Sequence, residues 1–277
     1  MSVAAAPTAA SRVSSIAALF RRDLRIQMTY HFQLALRLVE VAFFLGVAYY
    51  VSKLVVDPPE LASYGGSYFD FVVVGLAITT FATLGLSVFT TAIGDEQRTG
   101  TLELLLASPV SVSVLLAGGF AVPLILSALE AGLYLGIGAG LLGEGFGLGA
   151  ALLAVPLMLA TLASFCAFGI LSASFIVLTK RGDPFTLPAT YATSLLSGAL
   201  FPVSLLPEPL QWLAHAFPAF YGITGIREVL LAGAGFSDIV GELLVLIGFG
   251  IVLIPFSLAV MRRALRIARV TGTLGTY

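Results

Sequence analysis

Between Leu38 and Met261 the chain falls into six apolar stretches, with short polar breaks between them. Each is about 20 residues or longer, the length a helix needs to cross the hydrocarbon of a bilayer. Runs of that length do not alternate polar and apolar positions, so no single soluble core could cover them. In hydrocarbon the backbone must satisfy its own hydrogen bonds, and a helix does this within one segment. Composition excludes a water-soluble globule: 58% of residues are hydrophobic and 10% charged, against about 25% charged in a typical soluble domain. The fold class expected is an all-α polytopic membrane protein.

The six spans are placed at about 38–56, 69–93, 114–142, 150–178, 185–206 and 239–261. Lys and Arg in short loops set orientation. With both termini on the cytoplasmic side, Arg12, Arg21, Arg22, Arg25, Arg37, Arg98, Lys180, Arg181, Arg262, Arg263, Arg266 and Arg269 lie inside, while Lys53 and Arg227 lie outside. That asymmetry requires an even number of spans and places the chain as a multi-pass protein of a plasma membrane, the bacterial inner membrane on the Arg-over-Lys bias. Residues 1–11 are Ala- and Ser-rich and are expected to be a disordered leader. Residues 12–33 are broken by Arg21, Arg22, Asp23 and Arg25, with Ile16, Leu19, Phe20 and Leu24 at helical spacing. They are expected to form an amphipathic helix lying in the cytoplasmic interface, the bland alternative being a disordered basic leader.

The polar break at 94–109 reads Gly-Asp-Glu-Gln-Arg-Thr-Gly-Thr-Leu-Glu-Leu-Leu-Leu-Ala-Ser-Pro and carries Asp95, Glu96, Arg98 and Glu103. Thr101–Ala107 can form about two helical turns with Leu102, Leu105 and Leu106 on one side. The pattern Glu96, Arg98, Gly100, Thr101, Leu102, Glu103, Leu105, Pro109 resembles the cytoplasmic coupling segment of ABC type-2 permeases, the membrane subunits of ATP-driven exporters. The alternative is a plain cytoplasmic loop with a capping Thr. A second region carries an independent resemblance. Pro202, Pro207, Pro209 and Pro218 forbid one continuous helix over 201–233, and Trp212, Phe217, Phe220 and Tyr221 suit an interface. The order Phe-Pro, Leu-Pro, Pro218, then Arg227 before Leu-Leu-Ala-Gly is similar to the external region of the same family. A re-entrant helical element between spans five and six is expected there.

The resemblance covers nearly the whole chain beyond residue 11. It implies a permease subunit without chemistry of its own, two copies of a separate ATP-binding subunit, and a second permease half, either a second copy forming a homodimer or a sister chain. The exported substrate would be a drug, a lipid or a lipid-linked glycan. No Gly-rich turn ending in Gly-Lys-Ser/Thr occurs in the chain, so ATP hydrolysis is assigned to a partner. No catalytic residues, cofactor, metal ligands or nucleic-acid partner are expected. His31 and His215 are far apart in the sequence, and Cys166 reads as a small apolar filler.

Three features inside the spans remain. Glu130 has no partner within its own span, and a carboxylate at membrane depth faces a cavity or a partner. It is a candidate for lining a path, or else a structural hydrogen-bonding group. Glu40 is placed to pair with Arg37, three residues away. Thr79, Thr80, Thr83, Ser87, Thr90 and Thr91 give span two a hydroxylated surface, with Thr83 and Ser87 as path candidates, unless these groups bond only to their own helix. Gly132, Gly136 and Gly140 allow close helix approach, within the subunit or at a dimer interface. Two other classes stay open: a secondary transporter, which should show internal repeats and paired intramembrane charges, and an intramembrane enzyme, which needs a deep His, Asp or Ser cluster.

Overall fold

The computed structural model describes residues 9–55, 67–98, 112–142, 147–179 and 185–270. Their regular structure is entirely helical: α1 Ala9–Thr29, α2 His31–Ser52, α3 Tyr68–Arg98, α4 Val112–Leu142, α5 Leu148–Thr179, α6 Thr186–Leu196, a 3-10 turn Val203–Leu205, α7 Glu208–His215, α8 Pro218–Leu230 and α9 Val240–Val270. Five helices (α2, α3, α4, α5 and α9) are long and apolar enough to cross a membrane.

Helix ends depart from the sequence reading in a consistent direction. α3 runs to Arg98 and α9 to Val270, beyond the apolar limits at 93 and 261. Hydropathy marks only the lipid-compatible part, whereas the hydrogen-bond ladder continues through polar residues. Asp95, Glu96, Gln97 and Arg98 are therefore the last turn of α3 and not a loop. The helix expected over 12–33 begins at Ala9 and ends at Thr29. Tyr30 (φ −95°, ψ 59°) breaks the ladder, and α2 starts at His31, ahead of the expected Leu38. Arg37 is what delays a hydropathy reading there, and in the structure its charge is met by a partner on α4.

The segment expected as span five, 185–206, does not form one uninterrupted helix. α6 is 11 residues long, about 16 Å. It stops where Gly198 takes φ +74°, a backbone state that favours glycine, and Pro202 follows.

α3 and α5 form the centre and run parallel. Gly85 lies against Phe165 and Cys166, Gly169 lies against the carbonyls of Gly85 and Leu86, and the Gln97 side chain reaches the Ile176 carbonyl at 3.5 Å. Sequence numbers rise together along both helices. A Cβ on Gly85 would come within 2.7 Å of the Phe165 Cβ, so the two backbones touch. Such contact holds helices together where burial from water cannot drive association. α4 runs antiparallel beside α3: Phe120 stacks on Phe89 at 6.0 Å, and Gly138 meets Val73. The Ser164 hydroxyl joins α5 to α9 through the Leu246 carbonyl at 3.3 Å.

α2 is attached differently. Only Val41, Leu45 and Ala48 are buried, one stripe against α3, while Phe43, Val47 and Tyr50 stay exposed.

Candidate functional site

A cleft of about 1070 Å³ runs along one face of α3. Its α3 wall extends from Leu76 to Glu96, about 30 Å of helix, close to the thickness of a bilayer's hydrocarbon core. α1, α2, α4 and α6 supply the other walls, and Ala199 and Leu200 lie at the end nearest the start of α3. Thr83 and Ser87, the candidates on this helix, both line it, with Thr79, Thr80 and Thr91. The i, i+3/i+4 spacing of these residues puts them on one stripe.

Three of these hydroxyls are committed to carbonyls of their own helix. Thr79 donates to the Leu76 carbonyl at 2.8 Å, Thr80 to Ala77 at 2.8 Å and Ser87 to Thr83 at 2.7 Å. On the α6 wall Thr190 donates to Thr186 at 2.8 Å and Ser194 to Thr190 at 3.0 Å.

Glu130 also lines the cleft and is paired: Arg37 Nη1 lies 3.1 Å from its Oε2. The carboxylate is largely buried and the guanidinium half-exposed. On α4, Glu130 falls between Phe120, at the level of Phe89, and Gly138, at the level of Val73. The ion pair thus sits about halfway along α3. The expected pairing of Arg37 with Glu40 is replaced by this contact between α2 and α4. Glu40 is exposed and lines the same cleft. The packing of α2 antiparallel to α3 carries Arg37 inward to Glu130, and a separation of 93 residues leaves no local signal for it.

Arg227 forms the second polar centre. It is 3% exposed and lies on the last turn of α8, which Gly222 and Gly225 let approach Thr161 and Leu157 of α5. Its guanidinium donates to three carbonyls: Phe71 (Nε 3.2 Å, Nη2 2.8 Å), Gly198 (Nη1 2.8 Å) and Ala199 (Nη2 2.9 Å). It also lies over the Phe71 ring, 3.3 Å from its centroid. One side chain therefore joins the first turn of α3, the break after α6 and the end of α8. The rigid fork of arginine donors suits several carbonyls at once.

α7 and α8 form a hairpin whose turn reaches the middle of α3. Phe217 stacks on Phe168 at 6.1 Å, and Ala219 packs with Ala82, Leu86 and Phe165. From there α8 climbs beside α5 to Arg227. Pro207 precedes α7 and Pro218 starts α8, positions where a missing N–H costs nothing. Pro202 is buried ahead of the 3-10 turn, and Trp212 is 80% exposed on α7. Near Arg227, burial together with the charges of Glu242 and Asp238 raises the Glu228 carboxyl above its ordinary value.

Of the residues expected to couple to a partner, Glu96 is half-buried at the end of the cleft and Arg98 closes α3. Gly100, Thr101, Leu102, Glu103, Leu105 and Pro109 lie outside the described residues. Gly132 and Gly136 are exposed, with no neighbour for an added Cβ, as is the case for Gly140; only Gly138 packs closely.

A family model described as ABC-2 family transporter protein matches residues 43–259, well over half of the chain. No curated protein sequence matches it.

Proposed function

The chain belongs to the ABC-2 family of transporter proteins, and from that membership we propose that it is the permease subunit of an ATP-driven exporter. The match across 43–259 carries this reading. The membrane-depth cleft on α3 supports it, since a permease needs a route through the bilayer that lipid does not fill. In this reading α3 lines the path, and a second copy of the chain closes the cleft from the other side. The substrate is a drug, a lipid or a lipid-linked glycan. Both termini are cytoplasmic, and α6 with residues 197–206 makes the sixth crossing. The hairpin of α7 and α8 is the re-entrant element at the external face, which its descent to Phe217 and return to Arg227 supports.

Hydrolysis belongs to two copies of an ATP-binding subunit. That subunit docks on residues 94–109, at the end of α3, where Glu103 and Leu105 meet it. Movement there passes directly into α3 and the cleft wall. The test is co-purification with the ATP-binding subunit, alongside Glu103→Lys and Leu105→Asp. Both variants should insert normally, because both positions lie outside the spans, and both should lose the ATPase or its transport-linked hydrolysis. Normal capture and export by both would make the segment an ordinary loop.

A further inference from the structure

Carboxylates outnumber guanidiniums in the lining of the cleft: Asp23, Glu40, Asp95, Glu96 and Glu130 stand against Arg22 and Arg37. A hydroxyl has one proton and two lone pairs. Thr79, Thr80, Ser87, Thr190 and Ser194 each spend the proton on a carbonyl of their own helix, so their oxygens offer lone pairs to an occupant. The two lining arginines are likewise engaged by carboxylates: Arg22 holds Asp23 at 2.8 Å and Arg37 holds Glu130 at 3.1 Å. An anionic headgroup would meet the excess of carboxylates in this lining, which the N–H groups left on the two guanidiniums offset only in part. A cationic head finds hydroxyl oxygens and, at mid-depth, a carboxylate whose present partner is a half-exposed guanidinium on the lightly packed α2. Phe44 and Tyr134 line the same stretch and suit an organic cation with an apolar body.

We infer that the cleft binds amphiphilic organic cations bearing N–H donors, with Glu130 receiving the cationic head in exchange for Arg37. Glu130 is then the specificity-determining residue and Arg37 its resident counter-ion in the empty cleft. The inference rests on the reading of the cleft as the substrate path, and it selects one substrate class from those that reading allows.

The test uses the purified full-length permease in nanodiscs of zwitterionic lipid, with two dyes of one chromophore class. Rhodamine 6G is a cation with N–H groups, and sulforhodamine B is an anion. Fluorescence anisotropy should give rhodamine 6G the tighter binding by about tenfold or more. Glu130→Gln should weaken rhodamine 6G by about tenfold with little effect on sulforhodamine B. Arg37→Gln, which frees the carboxylate, should bind rhodamine 6G at least as tightly as the parent. A merely structural ion pair would instead make both variants lose binding and thermal stability in parallel. That parallel loss overturns the inference, as would equal binding of the two dyes, binding of neither, or an unchanged Glu130→Gln. A permease that captures its ATPase yet prefers the anion defeats the cation assignment alone. One that binds the cation and captures no ATPase defeats the exporter reading alone.

Discussion

Replacing Arg227 by Lys tests whether three separated pieces of chain depend on one side chain. The guanidinium donates four N–H···O hydrogen bonds to the carbonyls of Phe71, Gly198 and Ala199 and covers the Phe71 ring. Lysine brings one nitrogen, which cannot reproduce the fork. Two of these hydrogen bonds break, at about 1.5–3 kcal/mol each for a charged donor, and relaxation restores part of that energy. Arg227→Lys should therefore cost roughly 2–4 kcal/mol. Arg227→Met removes the charge as well and leaves the Gly198 and Ala199 carbonyls without this donor, at about 3–5 kcal/mol. The predicted stability order is parent, then Lys, then Met. Unfolding in mixed micelles of mild detergent and SDS, followed by circular dichroism, measures it. A Lys variant within about 0.5 kcal/mol of the parent would refute the clamp. A Met variant as stable as the parent would show that desolvating the guanidinium outweighs its bonds.

Other positions give shorter tests. Gly169→Ala drives a methyl into the Gly85 carbonyl and should cost about 1–3 kcal/mol in the same assay, whereas Gly132→Ala, with open space around it, should be nearly silent. Glu228 has its folded pKa raised above the ordinary 4.5, so its charged form is disfavoured in the folded state. That penalty is present above the raised pKa and is relieved as pH falls through it, so Glu228→Gln should raise the melting temperature at neutral pH and flatten its rise on acidification. In a Cys166→Ala background, a cysteine at Ser237 should react with an impermeant thiol reagent on intact cells and one at Asp95 should not; the reverse labelling would invert the proposed topology.

Composition and span length made the helical membrane fold legible, because about 20 apolar residues have few other uses. The ends of α3 and α9 were not legible, since a hydrophobic scale is blind to a helix that continues past the lipid through Gln97 or Arg266. Residues 185–206 read as a span because Ala, Leu and Thr outweigh the one turn at Gly198 that ends the helix. Thr83, Ser87 and Glu130 were recognisable individually as polar groups in apolar helices, and the cleft does gather them. The partner of Glu130 was hidden. Arg37 had Glu40 one helical turn away, and only the packing of α2 antiparallel to α3 reveals that the deeper carboxylate takes it. Arg227 stood out as a position in a pattern, but its three carbonyl partners come from segments 156 and 28–29 residues away.

The contact between Gly85 and Gly169 also has a mechanical consequence. Two backbones that touch can rock about the point of contact, but they cannot slide far past it without prising the helices apart. From Gly85 one arm of α3 extends to Gln97, about 18 Å, and the other to Phe71, about 21 Å. The arms are nearly equal, so a rocking α3 would turn about a point near its middle, working against the Gln97 contact with Ile176. A push on the Gln97 end would then arrive at the Phe71 end with almost the same amplitude and the opposite sense. There the guanidinium of Arg227 would hand it to the end of α8 and to the break after α6.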